Sequence, residues 1–411
     1  MKKILTIFCM VIIFLGGSFV FANEEETDEI DYVWIDEAIE EAKKEGVPDI
    51  LSRSAVIYER NSKQVLFGKN ENQKVPMAST TKIMTAIVMV EELEKQNISL
   101  DSEVIVEKEA AIIQGSRLGL STGDKVTYND LLYGLMICSG NDAAVQIAIS
   151  IGGSIQGFSE LMNNKAKELG LTNTNFVTPH GLDKDNHYTT AYELAIIANY
   201  ALNIDKIREV VSTQNCNVII NGRTKNITNT NELLGYLEGV NGVKTGFTNK
   251  AGRCLVTSVN RDGFEIITVV LGADTKKIRT QDSVKLIEYA YKEYQLADVE
   301  NLIKTEYENW CNINERRITV YKGVIKRPEI YIEEGKYTLY PLKKNEILEI
   351  ESEAKLKFEA PLPTNTEVGK IRVKVGDNVI NEIGIKTVET VQKKSILNYF
   401  IEMMQLLKLA I

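Results

Sequence analysis

Three short motifs in this chain carry side chains that can do covalent chemistry together. Ser79-Thr80-Thr81-Lys82 opens an apolar helix just after Pro76, Ser139-Gly140-Asn141 falls between two helical segments, and Lys244-Thr245-Gly246 stands just before a strand. A serine hydroxyl is a poor nucleophile at its ordinary pKa and needs a base in contact. A lysine three residues later on a helix lies on the same face, one turn away. The helix continues Ile83-Met84-Thr85-Ala86-Ile87-Val88-Met89-Val90, apolar enough to be the buried central helix of a domain. Burial disfavours the ammonium form of Lys82, and a second cation at Lys244 disfavours it further. Both effects lower its pKa toward the range where a neutral amine accepts a proton. The chemistry indicated is nucleophilic attack by serine with lysine as the base.

The chain has only two histidines, His180 and His187. That count argues against a Ser-His-Asp triad and rules out a three-histidine metal site. The stretch His180-Gly-Leu-Asp183-Lys-Asp185-Asn-His187 offers zinc-type ligands, yet its Gly, Asp, Lys and Asn read more simply as a turn-rich loop. The serine–lysine chemistry calls for neither metal nor organic cofactor. Each motif alone has a plainer reading: Ser79 as an N-cap, Ser139 to Asp142 as a helix stop and start, Gly242 to Gly246 as a turn. Their joint occurrence, in this order and in these settings, favours chemistry.

The elements that must position these residues belong to a chain of 411 residues, long enough for two domains with appendages. Hydrophobic residues at 44% and charged residues at 26% are globular values. The net charge is −9 and the basic residues form no stripe, which disfavours nucleic acid as a partner. Met1-Lys2-Lys3, an apolar run from Ile4 to Leu15 and the small residues before Asn23 make residues 1–22 a signal peptide cleaved after Ala22, so the protein is exported. Residues 23–47 form an acidic N-terminal segment in which Val33 to Lys44 has helical spacing but little apolar surface. Cys9 leaves with the signal; Cys138, Cys216, Cys254 and Cys311 are widely spaced and read as isolated buried thiols.

Residues 48–297 read as an α/β domain. A hairpin from Ser54 is followed by helical periodicity at Ile83–Leu93, Tyr128–Ile137, Ala143–Ile151, Ile155–Leu169 and Ala191–Leu202. Strands return at Cys254–Asn260 and Phe264–Leu271, and a closing helix covers Ser283–Tyr294. This order fits an antiparallel sheet with a helical lobe. Residues 298–389 show short alternating segments separated by Gly and Pro, the pattern of a small all-β domain. Residues 390–411 form an amphipathic helix with polar positions at 394, 395, 398, 402, 405 and 408 on one stripe. It has no apolar run long enough to span a bilayer, and suits an anchor lying in the membrane interface with Lys393 and Lys394 near anionic headgroups.

The three motifs resemble those of the penicillin-binding protein and serine β-lactamase superfamily. The surrounding text, Pro76-Met-Ala-Ser-Thr-Thr-Lys-Ile-Met-Thr-Ala86, Ser139-Gly-Asn-Asp-Ala-Ala144, Pro179-His-Gly-Leu182 and Lys244-Thr-Gly-Phe-Thr248, is similar to low-molecular-weight penicillin-binding proteins that act as serine-type D-alanyl-D-alanine carboxypeptidases, and closest to the variety in spore-forming Gram-positive bacteria. The resemblance extends over nearly the whole chain, β domain and tail included. It implies a penicillin-binding protein/β-lactamase-like fold, peptidoglycan stem peptides ending in D-Ala-D-Ala as substrate, covalent inhibition by β-lactam antibiotics, and attachment to the outer face of the cytoplasmic membrane.

By the same resemblance, Ser79 is the acyl-ester nucleophile, Lys82 its base, and Ser139 the relay that delivers the proton to the departing amine. Asn141 holds the substrate amide and steadies Lys82. Lys244 supplies positive field and a hydrogen bond to Ser139, Thr245 and Gly246 line the substrate strand, and Thr245 meets the terminal carboxylate. Backbone N–H groups of Ser79 and Phe247 form the oxyanion hole. Arg279 matches in spacing an arginine used for the carboxylate; its plainer reading is a surface salt bridge. Phe247 departs from relatives that carry histidine there. Other functions compatible with these residues are a β-lactamase, a D,D-endopeptidase and a catalytically silent wall-binding scaffold. For a class A β-lactamase, Glu168-Leu-Gly-Leu171-Thr172 is a near miss of the deacylating element, lacking its asparagine.

Overall fold

The computed structural model describes residues 32–44 and 46–409; the signal segment and the first part of the acidic stretch lie outside them. The first domain is built on a five-stranded antiparallel sheet of β1 (Ser54–Glu59), β2 (Val65–Lys69), β3 (Val240–Thr248), β4 (Gly252–Arg261) and β5 (Phe264–Ala273), in the spatial order β2-β1-β5-β4-β3. The first strand thus sits mid-sheet against the last one, with Val56 opposite Val269. The sheet is covered on both faces, so its central strands are apolar throughout rather than alternating. Along β4, Val256 joins the core shared with the helical lobe, while Leu255 and Val259 face the opposite layer.

The helical lobe comprises α2 (Lys82–Lys95), α3 (Tyr128–Met136), α4 (Asn141–Gly152), α5 (Ile155–Glu168) and α6 (Ala191–Leu202). Thr127, Ser154 and Thr190 cap α3, α5 and α6, each accepting from the N–H three residues on. In α2 an unbroken run from Lys82 to Met89 is buried, as expected of a helix surrounded on all sides. The other face carries α7 (Lys276–Glu293) and the N-terminal helix α1 (Val33–Ala42). Here the structure departs from the sequence reading. Although α1 has little apolar surface, Ile35 and Ala38 are fully buried in the second core with Val284 and Ile287 of α7.

Three further differences have identifiable causes. Lys244-Thr245-Gly246 lies within the edge strand β3 rather than before a strand; two glycines, at 242 and 246, hide the strand pattern. Helix α7 begins two turns before the expected Ser283, because Lys276, Lys277 and Gln281 present a polar face there, and Thr275 caps it. The chain after Asp298 is not purely β: α8 (Val299–Asn314) buries Val299, Ile303 and Trp310, and the Trp310 indole donates to the Glu353 carbonyl at 2.9 Å. That helix packs against a four-stranded antiparallel sheet of β6 (Ile330–Ile332), β7 (Leu348–Ala354), β8 (Glu367–Val375) and β9 (Asn378–Thr387), ordered β6-β9-β8-β7. The terminal α9 (Ile396–Leu409) leaves Ile396, Phe400, Met403, Leu406 and Leu407 exposed. Among the described residues no helix is long and apolar enough to cross a membrane.

Candidate active site

Ser79 lies at the junction of the two lobes, in a single 3-10 turn, Ala78–Thr81, that runs directly into α2. It is not an N-cap, since no side chain caps either helix start. The turn is held from its own side chains: Thr80 Oγ1 donates to the Met77 carbonyl at 2.5 Å and Thr81 Oγ1 to the Ala78 carbonyl at 2.7 Å. It is also held from outside by the loop at residues 178–182. Gly181 there has φ +88°, and a Cβ on it would lie 1.9 Å from the Ala78 carbonyl oxygen, so only glycine lets the loop approach this closely.

Lys82, fully buried, brings its Nζ to 2.8 Å from Ser79 Oγ, 2.8 Å from Asn141 Oδ1 and 3.0 Å from the His180 carbonyl. These three oxygens are neutral. Nζ donates to all three as an ammonium; in its neutral form the amine would keep two N–H groups for Asn141 and the His180 carbonyl and turn a lone pair toward the Ser79 hydroxyl proton. A half-buried serine beside such an amine can be deprotonated without histidine. Asn141 is fixed in turn, its Nδ2 donating to the Gln114 carbonyl at 2.7 Å and its backbone N–H to the Ser116 carbonyl at 2.8 Å. The next residue, Asp142, accepts from the N–H groups of Leu118, Gly119 and Leu120, tying the wall of the cleft to the start of α4.

Ser139 has φ +62° and a buried Oγ with no hydrogen-bond partner among the described residues. The bond expected from Lys244 to Ser139 is therefore not made here; Lys244 Nζ instead donates to the Thr245 carbonyl at 3.2 Å. Gly246 faces the nucleophile: a Cβ there would stand 2.9 Å from the Ser79 nitrogen. The strand backbone and the Ser79 turn are thus close enough for their N–H groups to converge on one oxyanion. The Phe247 ring carries the Arg253 guanidinium 4.1 Å from its centroid.

Residues the sequence did not single out join the second and third motifs. The Thr230 N–H donates to the Ile137 carbonyl at 3.2 Å while its hydroxyl meets Thr245 Oγ1 at 2.7 Å, and Asn231 Nδ2 donates to the Gly242 carbonyl at 2.9 Å. Asp183 accepts from Thr248 Oγ1 at 2.7 Å, linking the His180 loop to the end of β3. Arg279 is not on the surface. Its guanidinium is buried against Glu232, which also accepts from Thr280 Oγ1 at 2.5 Å.

The two histidines serve the scaffold. His187 Nδ1 accepts from the Val177 N–H at 3.0 Å, which leaves Nε2–H to donate to Thr81 Oγ1 at 2.8 Å, and burial lowers its pKa to about 4. His180 Nδ1 accepts from the Leu182 N–H at 3.1 Å; burial first, then the Lys82 charge, lowers its pKa to about 3. Among the described residues no group of three His, Cys, Asp or Glu could hold a metal ion. Of the four described cysteines, all unpaired, only Cys254 is buried and the other three are partly exposed, against the expectation of buried thiols. Burial raises the Cys138 and Cys254 thiols to about 11, so neither is an activated nucleophile.

Comparison with known proteins agrees with this geometry. Residues 41–275 match the family model for D-alanyl-D-alanine carboxypeptidase, and residues 314–393 match that for the C-terminal domain of penicillin-binding protein 5. The chain is similar to the D-alanyl-D-alanine carboxypeptidase DacF of Bacillus subtilis, at 34% identity over 85% of this chain and 88% of that one. Among solved structures it resembles penicillin-binding protein 5 from Haemophilus influenzae, with TM-score 0.69, 26% identity, and coverage of 85% of this chain and 100% of that one. It also resembles the Streptomyces K15 DD-transpeptidase, with TM-score 0.57, 32% identity, and coverage of 60% of this chain and 99% of that one. A serine–lysine centre between a helical lobe and an antiparallel sheet, carried ahead of a separate β domain, thus has matches over both of its parts: the chain belongs to the D-alanyl-D-alanine carboxypeptidase family of penicillin-binding proteins.

Proposed function

We propose that this enzyme removes the terminal D-alanine from peptidoglycan stem peptides through an ester on Ser79. In the acylation step the Ser79 hydroxyl proton passes to Lys82 Nζ as Oγ attacks the carbonyl between the two D-alanines. The developing oxyanion is held by the N–H groups of Ser79 and Phe247. Ser139, its hydroxyl without a partner among the described residues, relays a proton to the departing amine, and Lys244 adds positive field. Thr245 and Arg279 receive the terminal carboxylate. Water then cleaves the ester and returns the proton to Ser79. The observation that carries this reading is the contact of Lys82 Nζ with Ser79 Oγ at 2.8 Å, in a setting where two neutral oxygens take the amine's other hydrogens. Mass spectrometry of the protein after penicillin treatment tests it. One adduct on the peptide containing Ser79, absent from Ser79→Ala, is expected; an adduct elsewhere overturns it.

We infer that a β-lactam forms the same ester and is held, since the sequence carries no Glu-x-x-Leu-Asn element for deacylation. Glu168, the near miss, ends α5 with its side chain 64% exposed and pairs with Lys165 at 2.8 Å. Inhibition rather than rapid turnover of penicillin follows. Nitrocefin hydrolysis with little release of D-alanine from a diacylated pentapeptide analogue would reverse that assignment. Ser79→Ala separates an enzyme from a silent scaffold, which keeps its cellular role without the hydroxyl.

The substrate lies outside the cytoplasm, and so does the enzyme. We infer further that residues 1–22 are the signal for export, that 23–47 lead into a catalytic domain at 48–297, that 298–389 are a spacer, and that 390–411 rest in the outer leaflet. Support for the last comes from the exposed Ile396, Phe400, Met403 and Leu406 of α9, next to Lys393; Lys394, expected at the headgroups, is instead 9% exposed and paired with Glu402. Fractionation of a Leu406→Asp, Leu407→Asp variant tests the anchor; undiminished membrane association would refute it.

A further inference from the structure

The buried pair between Arg279 and Glu232 is more than packing. Both side chains are almost wholly withdrawn from water, at 5% and 2% exposure. A buried ion pair that serves structure alone saturates its partners, because every open valence there is costly. This one does not. Arg279 Nη2 and Thr280 Oγ1 both converge on one carboxylate oxygen, Glu232 Oε1, while Glu232 Oε2 and Arg279 Nε have no partner among the described residues. Arginine holds carboxylates best by a two-pronged fork, and here one prong is vacant.

The pair stands beside the third motif. Thr230, two residues before Glu232, meets Thr245 Oγ1 at 2.7 Å, and Asn231 donates to the Gly242 carbonyl at 2.9 Å, so the segment carrying Glu232 runs along β3. Burial alone would push the Glu232 carboxyl up, but Arg279 and Thr280 together hold it below the usual range, so the pair is ionised.

We propose that Glu232 is an internal counter-ion that keeps Arg279 compensated in the free enzyme and competes with the substrate's terminal carboxylate for it, making Glu232 the residue that tunes preference for carboxylate-ended peptides. Glu232 acts through Arg279 and is a positioning residue. The inference rests on the reading of Arg279 as a carboxylate receptor. When the anion arrives, it takes up Arg279 Nε, buried and without a partner among the described residues, and the like charge of Glu232 opposes the newcomer. Binding is thereby weakened, while a buried cation is never left bare.

The test compares, in the full-length protein, kcat/KM for a diacylated tripeptide ending in D-Ala-D-Ala with that for its C-terminal carboxamide. Penicillin labelling of Ser79 reports folding. Glu232→Gln removes the competing charge and should raise the carboxylate-to-carboxamide ratio by about tenfold or more, through KM rather than kcat. Glu232→Asp, with the charge kept but the reach shortened, should fall between. A ratio no higher than wild type in Glu232→Gln overturns the inference; if that variant does not label, the same result in Glu232→Asp overturns it. A general loss of stability would lower both substrates alike and leave the ratio unmoved. If the wild type shows no preference and Arg279→Gln changes nothing, the Arg279 reading itself fails. If Arg279→Gln abolishes a preference that Glu232→Gln leaves intact, only the role of Glu232 falls.

Discussion

Replacing Asn141 by aspartate changes one NH2 to an oxygen and places a negative charge where a neutral one stood, 2.8 Å from Lys82 Nζ. Coulomb's law gives about 1.5 kcal/mol for that contact in water and about 6 kcal/mol at an effective dielectric of about 20. Opposite charges in contact favour the ionised form by about 1–3 pH units in proteins. The ammonium form of the lysine is the one stabilised, and the neutral amine that accepts the Ser79 proton becomes correspondingly scarce at neutral pH. Acylation by a fluorescent penicillin should therefore slow by about 10- to 1000-fold near neutrality. Its acidic limb should move to higher pH by the same number of units, with the rate recovering at alkaline pH. Asn141→Ala, which removes the contact without adding charge, should slow the reaction without that upward displacement. The assay is the second-order acylation rate across the pH range. If the Asn141→Asp limb stays where the wild type has it, and the loss is equal at every pH, Lys82 is not the base and Asn141 acts through geometry alone.

Other consequences follow from the packing. Gly181→Ala forces a Cβ to 1.9 Å from the Ala78 carbonyl oxygen at φ +88°; the backbone conformation alone costs about 1–3 kcal/mol, so a lower Tm together with loss of penicillin labelling is expected. His187, its pKa lowered by burial to about 4, stays neutral in the fold while the unfolded chain takes up a proton, so stability should fall as pH drops from about 6.5 toward 4, by about 3 kcal/mol at most. His187→Gln should make that part of the Tm–pH curve shallower, the remaining slope coming from His180, whose pKa burial lowers to about 3. Ile35→Ala, at a fully buried position of α1, should cost about 2–5 kcal/mol in a denaturant melt if the N-terminal helix is integral to the fold, and nothing if it is a loose tether.

The sequence disclosed those parts of this molecule that are local in the chain. Ser79 and Lys82, the proposed nucleophile and base, are three residues apart on adjoining turns, so their contact is a property of helix geometry, and the 3.6-residue spacing of Tyr128–Met136, Ile155–Glu168 and Ala191–Leu202 announces those helices. Where a pattern was diluted the reading slipped: by glycine in β3, by polar first turns in α7, by the wide spacing of Val299, Ile303 and Trp310 in α8. The centre's remaining determinants lie far apart in sequence, and several are backbone atoms. The His180 carbonyl reaches Lys82 across 98 residues, and any side chain at position 180 would supply that oxygen. What the sequence does reveal there is the neighbour, because Gly181 is the residue whose missing Cβ allows the loop to close on Ala78. Glu232 and Arg279, 47 residues apart, carry no mutual signature at all. On the reading proposed above, they decide whether the guanidinium meets an incoming anion bare or already compensated. A motif set of this kind therefore identifies the reaction more readily than the affinity, since the bond-making groups are fixed by short-range spacing and the competing charges by the tertiary fold.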